Sequence, residues 1–420
     1  MKRIISLFLA VAFLLGAVPL SGLAASGIKS SQEEDILRSA SGDNEKVLRF
    51  DSNGKFKIMI FTDAHTDDNL AETTRLLMCE ALDKYKPDFV VYLGDNTTVS
   101  GYDRQVAAID ALTKPVRDRG VAFGMVHGNH DSEYGLSRDE ICEIWDSFGS
   151  MTYDADPALY GCGNCNLPIY ASNGAGIAFN LWFIDSGSTN PDMERKTYDY
   201  VHPDQIEWYK RTALELKEQN GGKPVPAIDF QHIIIPEIYD DLYTELPFLP
   251  EKLSAKWGGK AYFTVPDLTR LNGYWLEHPC PPEVYDGQLD AWKEIGDVIA
   301  EFNGHDHKNS FRVNIHGIDV VNVPACGENA YHSDYTRGVG LITLDEKHPC
   351  DYSYELIQMY KLALDKDSKI PEADGQPGSY YKKIAFVDAV PQLFFKICLF
   401  FNRMGKKISS VISRMDADII

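Results

Sequence analysis

The stretch Ile58-Met-Ile-Phe-Thr-Asp-Ala-His65 is an apolar run that ends in an acid and an imidazole two positions apart. A run rich in Ile and Phe that stops at polar residues is typical of a buried parallel strand. In open α/β sheets, ligand-binding groups collect just beyond the carboxyl ends of the strands. Asp63 and His65 are therefore candidate ligands at the end of a strand.

Four more apolar runs end in the same kind of polar residue. Residues 88–96 end in Asp95 and Asn96, and residues 121–131 end in Asn129, His130 and Asp131. Residues 225–232 end in His232, and residues 298–307 end in His305 and His307. Helical patterns separate the first three runs, and this β-α-β-α-β order predicts parallel strands joined by right-handed crossovers. We expect the five strand ends to meet.

Periodicity places the other elements. It predicts four helices: over 70–86, from 105 to a kink or end near Pro115, over Pro203–Gln219, and around Leu289–Ile295. It also predicts a strand over 176–185 and a hairpin of 311–315 with 318–323. Residues 132–176 are predicted to form loops around the site. The aromatic-rich insertion 236–282 is interpreted either as a substrate lid or as packed loop.

Acids outnumber bases by 62 to 41 among the 420 residues, which gives a formal net charge of −21. Such a charge repels phosphate backbones and argues against a nucleic-acid duplex as partner. A small anionic substrate remains compatible with it if bound metal ions supply local positive charge.

The two ends of the chain differ in composition from the middle. Residues 1–25 carry a basic start, an apolar stretch and small residues at cleavage spacing, which predicts a signal peptide rather than a membrane anchor, and hence a secreted or extracytoplasmic protein. Residues 26–46 are predicted to be a flexible leader and residues 47–373 the folded domain. Residues 374–420 form a linker and a basic, apolar tail, either a helix at a membrane surface or a helix docked on protein.

Eight cysteines in an exported chain permit disulfides, but the sequence does not fix their pairing. Cys162-Gly-Asn-Cys165 has the spacing of half a zinc or redox motif, yet no second pair follows at finger spacing. A local disulfide or free thiols are the other interpretation.

The strand ends supply carboxylates, imidazoles and one amide, the groups that metals of intermediate hardness bind. The candidates are Asp63, His65, Asp95, Asn129, His232, His305 and His307. They are too many for one ion and suit two, with Asp95 as the natural bridging carboxylate. Manganese, iron or zinc would fit such ligands.

The blocks Asp63-x-His65, Gly94-Asp95, Gly128-Asn129-His130-Asp131, His232 and Gly304-His305-x-His307 together resemble the calcineurin-like metallophosphoesterases, over about residues 55–325. The resemblance implies an α/β fold, a β-sandwich of mixed sheets flanked by helices with the active site at the strand carboxyl ends. It implies that one ion is held by Asp63, His65, Asp95 and His307, and the other by Asp95, Asn129, His232 and His305. It also implies that His130 lies by the substrate and that Asp131 orients it.

Within that superfamily, Trp182–Gly187 and Tyr331–Tyr335 are similar to the group of purple acid phosphatases. Two features depart from the true purple enzymes. Thr98 stands where they carry the tyrosine that colours the iron, and His65 is present where they lack a ligand. We therefore expect a protein that is not purple.

Two metal ions that share a hydroxide can lower its pKa and hold a phosphoryl group while the hydroxide attacks phosphorus. The predicted function is hydrolysis of phosphate monoesters, with His130 protonating the leaving oxygen or neutralising charge. Two alternatives stay open. One is a phosphodiesterase or nucleotidase on the same metal core, and the other is an inactive surface protein that keeps the fold for binding.

Overall fold

The computed structural model describes residues 47–191, 193, 196–245, 254–371 and 380–385. The predicted signal peptide, the leader and most of the tail lie outside these residues and stay predictions. Tyr381 and Ile384, which the sequence assigns to the tail, are buried in one of the hydrophobic clusters. None of the described helices has both the length and the apolar character needed to cross a bilayer.

The first sheet begins with three parallel strands, β1 (Lys55–Phe61), β2 (Phe89–Leu93) and β3 (Ala122–Val126). The helices α1 (Glu72–Tyr85) and α2 (Tyr102–Arg117) connect them, which confirms the predicted β-α-β-α-β order. Helix α2 continues past Pro115 by two residues instead of ending there. Proline has no N–H for the carbonyl four residues before it, and the helix ends within a turn of Pro115.

Two antiparallel strands, β13 (Gly338–Asp345) and β14 (Ser353–Gln358), complete this sheet in the order β14-β13-β1-β2-β3. They come from the far end of the sequence. As a result β1, whose end carries Asp63 and His65, lies in the middle of the sheet with a partner on each side.

The second sheet has seven strands in the order β4-β5-β6-β10-β12-β11-β9. Their bounds are β4 (Cys165–Tyr170), β5 (Ile177–Phe183), β6 (Ala227–Phe230), β9 (Asn272–Tyr274), β10 (Val298–Asn303), β11 (Ser310–Ile315) and β12 (Ile318–Asn322). The four central strands β5, β6, β10 and β12 are parallel, and the other three are antiparallel to their neighbours. The predicted hairpin is the β11–β12 pair.

Hydrophobic clusters fill the space between the sheets and cover their outer faces. Phe56, Phe89, Phe183, Phe230 and Phe302 meet in the cluster between the sheets. The helices α1, α2, α3 (Arg138–Ser147) and α7 (Met359–Ala363) cover the first sheet, and α4 (Pro203–Gln219), α5 (Ile238–Leu242) and α6 (Gln288–Ile295) cover the second. The molecule is therefore the predicted β-sandwich of mixed sheets flanked by helices. Helix α4 has the predicted bounds and starts with Pro203.

Two irregular regions contain more structure than the sequence suggests. Residues 132–176 were predicted to be loops, but they include α3 and β4 because Ile141, Ile144 and Trp145 give α3 an apolar face against α1 and α2. The insertion 236–282 includes α5, β9 and the hairpin of β7 (Ser254–Trp257) with β8 (Lys260–Phe263). Tyr239, Tyr243 and Trp257 of this insertion stack on one another and are buried against the second sheet, so the described part contains packed structure. The role of a substrate lid stays a prediction.

Candidate metal centre

The strand ends deliver their polar residues through an unusual backbone conformation. Asp63, His65, Asp95 and His305 have φ angles of 51°, 42°, 49° and 67°, in the left-handed region that side-chain-bearing residues seldom adopt. Each such residue costs about 1–3 kcal/mol and persists only where its surroundings impose it. Here the backbone turns away immediately after the strand, and each side chain is directed into the gap between the sheets.

Four ligand atoms form a first group, contributed by Asp63, His65, Asp95 and His307, and all lie within 4.8 Å of one another. The Nε2 of His307 is 3.2 Å from Oδ1 of Asp63 and 3.3 Å from Nε2 of His65. The Nε2 of His65 is 3.6 Å from Oδ2 of Asp95. All four residues are buried.

A second group consists of Asp95, His232 and His305, again within 4.8 Å. The Nε2 of His232 is 3.2 Å from Oδ2 of Asp95. Asp95 belongs to both groups, as expected of a carboxylate that bridges two ions. Asn129 lies beside them and its Oδ1 is buried.

The fit of metal ions to these residues rests on buried polar atoms that lack hydrogen-bond partners. A buried polar atom without a partner costs free energy, and native structures contain few of them. Five of the predicted ligand residues each present one such atom, namely Asp63 Oδ1, Asp95 Oδ2, Asn129 Oδ1, His232 Nε2 and His305 Nε2. Hard and intermediate metal ions would satisfy all five at once.

The ligand side chains also have atoms that face away from the metal centre, and the protein holds these atoms by hydrogen bonds. Nδ1 of His232 donates to the carbonyl of Leu93 at 2.8 Å, and Nδ1 of His307 donates to the carbonyl of Tyr331 at 2.8 Å. Such bonds fix the tautomer that leaves Nε2 for a metal. Oδ2 of Asp63 accepts from the Thr62 hydroxyl at 2.8 Å, which leaves Oδ1 toward the site.

Electrostatics acts differently on the individual ligands. Burial acts to lower the pKa of His232 and of His307, but Asp95 and Asp63 beside them outweigh it and raise these values to about 10 and about 9, so a metal ion would displace a proton from each. Burial lowers the pKa of His305 to about 3, and the like charge of His232 adds to this effect, so the imidazole is neutral. Burial also lowers the pKa of His65. Burial acts to raise the pKa of Asp95, but the positive charge of His232, whose Nε2 is 3.2 Å away, outweighs it and holds that pKa well below its usual range.

Two glycines make room for the ligands. A Cβ on Gly94, which has φ +88°, would lie 2.4 Å from Nδ1 of His232. A Cβ on Gly128 would lie 2.1 Å from Oδ1 of Asp95. The Gly-Asp and Gly-Asn pairs of the sequence are thus required by close approach between neighbouring strand ends.

His130 lies at the rim of this centre. Its side chain is 41% exposed, its ring centroid is 5.5 Å from that of His65, and its backbone N–H donates to Oδ1 of Asp95 at 2.8 Å. Its Nδ1 donates to Glu133 Oε2 at 2.6 Å. Glu133 was not anticipated from the sequence, although its spacing of three residues from His130 permits the contact.

The carboxylate of Asp131 is buried and accepts the backbone N–H groups of Asn96 at 2.8 Å, of Thr97 at 3.1 Å and of Gly128 at 2.8 Å. Those bonds join the turn after β2 to the turn after β3, and so fix the backbone on which Asp95 and Asn129 lie. The imidazole of His130 contacts Glu133. The role implied for Asp131 in orienting His130 stays a prediction.

Aromatic side chains line the metal centre and were also missed. The ring of Tyr331 stacks on His307 at a centroid distance of 4.2 Å, and Tyr198 meets His305 edge to face at 4.4 Å. Tyr198 lies in an irregular segment that offers no periodic signal. Thr98, the position of the purple enzymes' tyrosine, donates its hydroxyl to the carbonyl of His65 at 3.3 Å.

A cavity of about 280 Å³ opens beside the centre. Its wall includes Asn129, His130, Glu133, Ser188, Lys196 and Tyr198. The predicted ligand Asn129, the rim residue His130 and the cationic Lys196 thus line one cavity large enough for a small molecule.

Known proteins are similar to this chain in sequence and in fold. The model of the calcineurin-like phosphoesterase family matches residues 56–309, which confirms the resemblance seen in the sequence. The chain is 27% identical over 314 residues to the probable inactive purple acid phosphatase 14 of Arabidopsis thaliana, covering 68% of this chain and 74% of that protein. It is 28% identical to the probable inactive purple acid phosphatase 29 of the same plant, and the match covers 71% of this chain and 79% of that protein. The solved structure of a dimetal phosphatase from Danio rerio aligns with 13% identity and a TM-score of 0.44, and the alignment covers 69% of this chain and 93% of that one.

Proposed function

The chain belongs to the calcineurin-like phosphoesterase family, and we propose that it is an exported enzyme that hydrolyses small phosphate monoesters at a pair of metal ions. The observation that carries the proposal is the set of five partnerless buried atoms gathered around Asp95. An open group of this kind has no evident structural purpose, whereas a hydrolytic metal pair needs it.

The residues that would hold the ions follow from the two groups. Asp63, His65 and His307 would serve one ion, Asn129, His232 and His305 the other, and Asp95 both. When bound, such ions supply Lewis acidity and a hydroxide nucleophile near neutral pH. Manganese, iron and zinc all suit this mixture of oxygen and nitrogen ligands.

The contribution of the chain itself centres on His130. The Glu133 carboxylate accepts the Nδ1 proton, which fixes the orientation of the ring and leaves Nε2 available to the substrate. His130 would then neutralise charge on the phosphoryl group or give a proton to the leaving oxygen. Lys196, which is exposed in the same cavity, adds a positive charge for an anionic ester.

The cavity and the net charge support a small substrate. A space of about 280 Å³ suits a compact phosphate ester, and a charge of −21 repels a nucleic-acid duplex. A diesterase or nucleotidase would use the same ligands. Turnover of an aryl phosphate, its bis-aryl diester and a nucleotide, measured in parallel, distinguishes these activities.

A second candidate is a binding protein without turnover. It is favoured by the names of the two plant relatives, each of which includes the word inactive. It predicts that the purified chain takes up close to two ions and hydrolyses none of the three esters.

The first test is elemental analysis of the purified protein together with aryl phosphate turnover, with and without added manganese. We expect about two ions per chain and hydrolysis that depends on them. Absence of bound metal after loading would contradict the proposed centre, and metal without turnover would favour the binding protein.

The substitution Asp95→Asn tests the bridging role. We expect metal content to fall and turnover to drop by a factor of about a thousand or more, because both ions lose a charged ligand. Asp229→Asn is the matched control, since Asp229 is equally buried on β6 but belongs to neither group. Full turnover by Asp95→Asn would exclude the assignment.

A further inference from the structure

A second cluster of soft ligands lies beside β3, outside the centre described above. His127, which follows β3, is fully buried, and its Nε2 is 3.3 Å from Sγ of Cys142 on α3. The Sγ of Cys162 completes the group, and the three ligand atoms all lie within 4.8 Å of one another. Three separate segments thus bring two thiols and one imidazole to a single point.

A carboxylate adjoins the same point. Oδ2 of Asp154 lies 3.4 Å from Sγ of Cys162. The other oxygen of Asp154 accepts the backbone N–H of Gly163, and the backbone N–H of Cys162 donates to Oδ2 of Asp185 at 2.9 Å. These bonds fix the loop that holds Cys162, so the thiol and the carboxylate are held next to each other.

The imidazole of His127 is directed at the sulfur atoms and at no other polar group. Its Nδ1 has no hydrogen-bond partner among the described residues although it is buried. A fully buried histidine usually has a partner on at least one nitrogen that explains its presence. Here the sulfur of Cys142 is the one polar contact, which points to a shared ligand.

One of the thiols is prepared for metal binding. The hydrogen bond from Cys162 lowers the pKa of Cys142 to about 6, with a further contribution from His127. The same contact raises the pKa of Cys162, so the pair favours a thiolate on Cys142, and the thiolate is the form that binds metal.

We propose that His127, Cys142 and Cys162 form a structural site for a thiolate-binding divalent ion, of which zinc is the prime example. Zinc takes sulfur and nitrogen ligands, and Asp154 lies beside Cys162, where a carboxylate could assist. The sequence left zinc as one interpretation of the Cys162/Cys165 pair, beside a local disulfide or free thiols. In the structure, Cys162 is grouped with His127 and Cys142, and Cys165 lies outside the group.

Such an ion would stabilise the neighbouring loop of the phosphoesterase centre. His127 is two residues before Asn129, and Arg138 on the same helix as Cys142 donates to the carbonyl of Gly128 at 3.2 Å. An ion here would tie α3 and the Cys162 loop to the segment that carries Asn129 and His130. The inference does not depend on the proposed activity.

The test uses the full chain with the first centre disabled by Asp63→Asn and Asp95→Asn. We expect this variant to retain about one zinc ion per chain. After exchange to cobalt, we expect a thiolate-to-cobalt charge-transfer band. Both should be lost on adding Cys142→Ala, with circular dichroism used to verify folding.

The matched control is Cys165→Ala, which removes a buried cysteine of the same loop region outside the cluster. It should retain the ion and the cobalt band. Mass spectrometry after thiol alkylation of the denatured, unreduced protein provides the independent measurement, and it should find Cys142 and Cys162 as free thiols. A disulfide between them, or a folded variant without zinc, would overturn the proposal.

Discussion

The contact between Glu133 and His130 is the smallest unit of the site on which catalysis would depend. Apart from this bond to Nδ1, the imidazole is substantially exposed. A carboxylate that accepts from one ring nitrogen sets the orientation and the proton affinity of the other. Glu133 is therefore a positioning residue and does not itself contact the reacting atoms.

The substitution Glu133→Gln should lower kcat for an aryl phosphate about tenfold and leave metal content unchanged, because one charged hydrogen bond contributes about 1.5–3 kcal/mol. KM should stay near its original value, since Glu133 acts on the orientation of His130 and not on substrate binding. Glu143→Gln, which changes an exposed glutamate on α3, is the control. An unchanged kcat in Glu133→Gln, or a change confined to KM, would refute the positioning role.

At the scale of elements, the turn after β2 shows how one strand end constrains another. Gly94 and Gly101 have nearly the same φ, +88° and +90°, but only Gly94 has a neighbour where its Cβ would lie. Alanine at Gly101 would therefore bring backbone strain alone, whereas alanine at Gly94 would bring the same strain and a clash with His232.

We expect Gly101→Ala to cost only the strain, about 1–3 kcal/mol of unfolding free energy, with turnover and metal content retained. Gly94→Ala should add displacement of His232 and lose at least one ion. Urea unfolding and elemental analysis of both variants check this. Equal metal content in the two variants would show that the turn after β2 accommodates the methyl group.

The elements could be predicted where an apolar run ends in polar residues, as in β1, β2, β3 and β10, because that pattern belongs to buried parallel strands. Strands β13 and β14 join β1 from the other end of the chain, and no local signal specifies such a pairing. Helix α3 had a readable signal. Ser137 and Glu140 form a capping box at its start, but the surrounding Gly- and Tyr-rich segment obscured it.

At the scale of the molecule, the sheet interior contains a carboxyl pair that links stability to pH. Asp229 on β6 and Glu301 on β10 face each other in register and are buried. Burial raises the pKa of Glu301 well above its usual value, and the charge of Asp229 adds to this. Burial likewise raises the pKa of Asp229, with a further contribution from Asp297.

Both carboxyls are protonated in the folded protein at pH values where the unfolded chain, with pKa values of about 4, has released its protons. The folded state then binds more protons, so the free energy of unfolding falls as pH rises from about 4 through the raised pKa values. Glu301→Gln should flatten this decline, measured by urea unfolding of the metal-free protein across pH. Glu294→Gln, on the surface beside Lys210, should keep the original slope. The same slope in both variants would contradict the assignment.

The convergence of the ligands could be anticipated because the carboxyl ends of parallel strands share one edge of a sheet. The contacts of His130, Asp131 and Glu133 could not, because they depend on loop conformation and not on strand order. Asp131 shows this most clearly, since it bonds to the backbone of the neighbouring turn rather than to the residue beside it.

The left-handed backbone at Asp63 and Asp95 also determines which substitutions the fold tolerates there. Asparagine and glycine adopt this conformation at small cost, whereas β-branched residues do not. A single base change that converts either aspartate to asparagine or glycine would thus remove a charged ligand and spare the architecture. In this scaffold the metal centre is mutationally more fragile than the fold, and a chain could lose its ligands long before it lost its shape.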